Sequence, residues 1–155
     1  MTDEMPPSPS DRRRAAALLS HHATVNEAGS RFVIDEALAD DGLVALLRAV
    51  IDVGAQLLAA LRTDMGIEAA SSLLDVWAAQ EENVDWRRAA SVIICRFQAK
   101  YEWFDGHVAD ALADGRLDRL VDTTAACYVT MMPELHSPKG RNSLAQIAAA
   151  MSGEE

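Results

Sequence analysis

Apolar positions along this chain recur at helical spacing and show no convincing two-residue alternation. The clearest run is Leu43, Leu46, Leu47, Val50, Ile51, Leu57, Leu58 and Leu61. Its i, i+3, i+4, i+7 steps predict a long helix with one buried stripe. Before it, Asp11 is placed to cap a first helix, and Phe32 to Asp40 predicts a second, shorter one. Ala39-Asp40-Asp41-Gly42 supplies the turn into the third, with Gly42 expected in the left-handed conformation that ends helices. A fourth helix is expected after Gly66, with Ile67, Ala70, Leu74 and Trp77 on its apolar side. The predicted fold class is all-α.

Sliding the chain along itself adds a second regularity. At an ungapped offset of 74, Asp11-Arg-Arg-Arg-Ala-Ala lies over Asp85-Trp-Arg-Arg-Ala-Ala, and Glu36-Ala-Leu-Ala-Asp over Asp110-Ala-Leu-Ala-Asp. Leu43, Leu46, Leu61 and Gly66 match Leu117, Leu120, Leu135 and Gly140. Conservative pairs such as Leu18/Val92, Leu19/Ile93, Ile34/Val108 and Leu57/Met131 lie between them. The second copy therefore predicts the same helices: one capped by Asp85, one over 105–114, and one carrying Leu117, Leu120, Val121, Met131, Met132 and Leu135. A last helix carries Leu144, Ile147 and Met151. Pro133 should shorten the third of these.

A unit of about 70 residues has too little interior to be comfortable alone. The expected architecture is a helical bundle built from two tandem pseudo-symmetric repeats, 11–82 and 85–155, sharing one core within a domain spanning 10–155. Residues 1–9 and 152–155 are expected to be tails. Two separate beads joined by 81–84 would need a longer linker.

Composition changes the functional picture more than the fold. The formal net charge is −10, which opposes binding to a nucleic-acid backbone. Arg12, Arg13 and Arg14 precede only a short Ala-Leu run ending at His21, unlike a signal peptide. Arg48 and Asp52, four apart in the greasiest segment, suit a solvated face better than lipid. No membrane association is expected, and the cytoplasm is the expected location. Cys95 and Cys127 read as small buried thiols rather than a disulfide scaffold. The arginines opening each copy should pair with the acidic second helix, at Asp35, Glu36, Asp40 and Asp41.

Candidate chemistry lies where the copies differ. Five of the eight aromatics fall between Trp86 and Phe104, whereas the matching segment of the first copy, 12–30, has none. Read as one helix, Trp86, Ile93, Phe97, Tyr101 and Phe104 share a face and Trp103 is displaced from it. Such a stripe is either core, with Phe97 and Phe104 its expected members, or a docking surface exposing Tyr101 and Trp103. His107 and Asp110, three apart, could join Asp114 on one helix side, but no His-x-x-x-His or Glu-x-x-His element accompanies them. No metal and no cofactor is expected. No phosphate-binding Gly loop or nucleophile elbow is present either.

The expected function is therefore a non-enzymatic, acidic regulator that binds a protein partner, with Trp86, Tyr101, Trp103, Phe104, His107 and Tyr128 as candidate binding residues. The alternative is a small-molecule-binding or metal-dependent catalytic bundle, its pocket between the repeats lined by Tyr101, Trp103, Tyr128 and a polar group such as His107 or Cys127. Homo-oligomerisation and a structural role in a larger assembly remain compatible with both.

Overall fold

A computed structural model describes residues 7–61, 64–79 and 82–151. Of the tails expected at 1–9 and 152–155, residues 1–6 and 152–155 lie outside them, as do Glu81 and the side chains of Ile67 and Met151, whereas Ser8 and Pro9 are not tail but cap and open the first helix. The described residues form α1 (Pro9–Ala23), α2 (Glu27–Ala39), α3 (Leu43–Leu61) and α4 (Asp64–Ala78). There follow α5 (Val84–Phe97), α6 (Tyr101–Ala113), α7 (Leu117–Met131), a 3-10 turn (Pro133–His136) and α8 (Pro138–Met151). No strand occurs among the described residues, and the fold is all-α.

Both helix starts differ from expectation. Ser8, not Asp11, caps α1: its hydroxyl accepts from the Asp11 amide while the Asp11 carboxylate accepts from the Ser8 amide. Asn83, not Asp85, caps α5 through its side-chain oxygen. Asp85 instead receives a two-pronged bond from Arg116, with Nε–Oδ1 2.9 Å and Nη2–Oδ2 2.5 Å. That bond, more than any other cause, holds its pKa below the usual carboxylate value.

The second difference is larger. α1 stops at Ala23 and α2 begins at Glu27, well before Phe32, because Val25 turns left-handed (φ 54) and the Asn26 side chain accepts from the Gly29 amide. The same break divides the later segment, with Ala99 at φ 55 between α5 and α6. No single helix runs from Trp86 to Phe104, so the proposed aromatic stripe does not exist. Side chains other than Gly and Asn pay steric energy in this conformation, and so the break carries no compositional signal. At the next turn the left-handed residue is Asp41 (φ 56) rather than Gly42, and in the later copy Gly115 (φ 70).

Helix bounds in the two halves keep the offset of 74. α2 and α6 correspond at both ends, and α3 and α7 correspond at their starts. Pro133 ends α7 early, making it 15 residues against 19 in α3. Arg14 pairs with Glu36 (3.2 Å) and Asp40 (2.5 Å), and at the matching positions Arg88 pairs with Asp114. α4 packs on α5 as α8 packs on α1, and α3 crosses α7 at the centre. The match is incomplete: α1 also packs on α7, whereas α5 has no comparable packing on α3.

One contiguous core draws Leu18, Leu19, Leu46, Leu47 and Leu57 from the first half and Ile93, Leu120, Val121, Tyr128 and Met132 from the second. At its centre the Tyr128 ring lies flat on Gly54, where a methyl group would come within 2.7 Å of three ring atoms. α3 is long and apolar enough to cross a membrane, with a mean hydropathy of 1.8, yet most of that stretch is buried in this core. Its charged residues do not pair with each other. Arg48 reaches toward Asp105 (3.9 Å) and Asp52 toward Arg96 (3.6 Å), so both tie α3 to the second half.

Candidate functional site

The candidate binding residues separate into three environments. Tyr128 belongs to the core: it is wholly buried, and burial pushes its phenol pKa far up. Trp86 is half-buried and meets Trp77 edge-on, with ring centroids 5.0 Å apart, an aromatic contact that fastens α4 to α5. Phe104 is 8 % exposed and packs inward from α6, with the Arg48 guanidinium 5.9 Å from its ring centroid. These three help to build the fold. The inter-repeat pocket expected to gather Tyr101, Trp103 and Tyr128 is not formed by them, since Tyr128 is enclosed while the other two face solvent.

Tyr101 and Trp103 are 61 % and 63 % exposed, at the start of α6. Phe97, expected in the core, is 39 % exposed at the end of α5. The left-handed residue Ala99 causes this by turning the chain sharply between them. Three large rings thus crowd the surface within seven residues. Lys100 lies in the same corner, its ammonium 4.9 Å from the Trp103 ring centroid.

His107 sits half-buried on α6. Burial lowers its pKa below the ordinary imidazole value; Arg88 and Arg87 act in the same direction and Asp110 opposes them. Among the described residues, no group of three or more His, Cys, Asp or Glu side chains could hold a metal ion. Cys95 and Cys127 are buried free thiols whose pKa values are raised by burial, which makes them poor nucleophiles.

A second site emerges at the junction of the halves. Here α1, α2 and α7 enclose an open cavity of about 310 Å³. His22 Nε2 donates to Asp122 Oδ1 across the junction at 2.8 Å. Beside it, Asn26 Nδ2 donates to His21 Nδ1 at 3.3 Å, and the His21 ring is seated against the bare backbone of Gly29. Val25, Glu27, Ser30, Arg31, Ile34 and Asp118 complete the walls. None of these cavity residues was among the candidate binding residues. The available signal was Gly29-Ser30 lying over Trp103-Phe104 at offset 74: the half with the small residues keeps the space.

No family model matches the chain, and no curated protein or solved structure is similar to it at a significant level.

Proposed function

We propose that this protein is a non-catalytic interaction module that engages a basic protein partner through the corner between α5 and α6. The observation that carries this reading is the exposure of Phe97, Tyr101 and Trp103 within seven residues. Stiff amphipathic rings supply large contact area for little lost side-chain entropy, and an exposed cluster of them is unusual on a surface with no use for it. The net charge of −10 favours encounter with a positively charged partner. Trp86, Phe104 and Tyr128 act in this reading as supports rather than contacts. The cytoplasm, which keeps thiols reduced, suits the two free cysteines. We also read the halves as diverged copies of one four-helix unit, a view supported by the shared helix bounds and the paired Arg–Asp bridges.

The test places a photo-crosslinking residue at Glu102, beside the corner, or at Asp35 on exposed α2, in the full chain mixed with extract of its native host. A discrete adduct to a basic protein from position 102 alone, lost in the Tyr101→Ala/Trp103→Ala variant, is the expected result. Equal adducts from both positions, adducts indifferent to the double substitution, or a self-adduct alone would overturn the reading.

A further inference from the structure

The small residue Ser30, which lines the junction cavity, has the large Phe104 as its counterpart at offset 74. Ser30 is the fourth residue of α2 and Phe104 the fourth of α6; each amide bonds back to the carbonyl of its helix's cap residue, Asn26 or Lys100. Phe104 packs inward from α6, with the Arg48 guanidinium of α3 5.9 Å from its ring centroid. At the matching sequence position stands Ser30, without a ring, and it lines the cavity among α1, α2 and α7.

The surrounding charges are exchanged as well. Arg48 and Asp122 are both the sixth residue of their helices, and Asp105 and Arg31 both the fifth of theirs. A cation covers the ring in the second half, whereas a carboxylate faces the empty space in the first. Ser30 is only 6 % exposed and stands in the wall of the cavity.

We propose that this cavity binds a small aromatic amine. Its ring takes the space beside Ser30, where the other half carries Phe104, against Ile34 and the His21 and His22 imidazoles. Its ammonium group lies against Asp118 and the Asp122 oxygen not engaged by His22. The Ser30 hydroxyl turns to the ligand. Glu27, Asp118 and Asp122 line the cavity against the single guanidinium of Arg31, so the excess charge selects a cation. The cavity volume lies at the lower end of small-molecule sites and suits a ring with a short chain. This site is separate from the α5–α6 corner and does not depend on the partner reading.

The test is a titration of the full chain followed by backbone amide and imidazole NMR shifts, using 2-phenylethylamine, its uncharged counterpart 2-phenylethanol, and n-butylamine. Expected is saturable binding of 2-phenylethylamine at His21, His22 and Ser30, at least tenfold tighter than either other probe. Ser30→Phe should abolish it while preserving the far-UV circular dichroism, and Asp122→Asn should remove the preference over 2-phenylethanol. Equal binding of n-butylamine, an unchanged preference in Asp122→Asn, retained binding in a folded Ser30→Phe, or no saturable shift would each overturn the proposal. Should Ser30→Phe fail to fold, the probe comparison and Asp122→Asn decide.

Discussion

Substituting Gly54 by Ala tests how closely the halves are locked together. The added methyl would sit 2.7 Å from three atoms of the buried Tyr128 ring, whereas carbon contacts are comfortable at about 3.5–4.0 Å. Roughly 1 Å must be found in a close-packed core, at a cost of about 1–3 kcal/mol. Ala is also a better helix former than Gly by about 1 kcal/mol, which offsets part of that cost. Overpacking should win, leaving a net loss of up to about 2 kcal/mol. Gly106 supplies the control: it lies within exposed α6, and a methyl there meets nothing within 4 Å. Gly106→Ala should therefore stabilise by about 0.5–1 kcal/mol. Urea denaturation at unchanged slope reads both effects as midpoint shifts of opposite sign. A Gly54→Ala protein as stable as Gly106→Ala would refute the packing described at the α3–α7 crossing. Adding Tyr128→Leu should relieve the clash, making the double substitution less destabilising than the sum of the two singles.

Leu46→Ala and Leu120→Ala, matched positions buried in the shared core, should each lose about 2–5 kcal/mol in urea titrations. Trp103→Ala, at an exposed site, should shift stability by no more than about 0.5 kcal/mol while abolishing the crosslink from Glu102. The depressed pKa of His107 means that protonation costs more in the folded chain than in the unfolded one. Its contribution is thus intact above about pH 6.5 and is lost as pH falls from there toward the lower folded value. Urea midpoints at pH 8 and pH 5.5 should show that loss, and His107→Gln should reduce it. For Asp85, whose pKa is lowered by Arg116, the stability is present above the ordinary carboxylate pKa and is lost as pH falls through the folded value. Arg116→Gln should weaken this acid-side dependence in a pH-resolved melt.

Much of the architecture was legible because burial leaves a period. The Leu43–Leu61 stripe marks the span of α3, and the offset of 74 places α6 and α7. The turns at Val25 and Ala99 were hidden, because backbone bonds close them at residues whose side chains give no turn signal. Missing them fused α5 with the start of α6 and drew a stripe through residues on different surfaces. Tyr128 was misread for a related reason. Its burial depends on Gly54, 74 positions earlier, and periodicity within one helix cannot show which partner helix leaves room for a ring. Phe104 packs inward and Tyr101 and Trp103 are exposed, as the core and docking readings respectively had it, but Phe97, expected in the core beside Phe104, is exposed. The junction cavity is less legible because Ser30 marks a place where bulk is absent, and a missing ring leaves no apolar period.

Amide hydrogen exchange of the whole chain, resolved to single helices by mass spectrometry, tests most directly whether the halves form one cooperative core. The slowest amides of α3 and α7 should open with the same free energy and respond equally to urea, since neither stripe is buried without the other. If one of these helices exchanged through an opening several kcal/mol cheaper than the other, the halves would be independent units and the shared core would be contradicted.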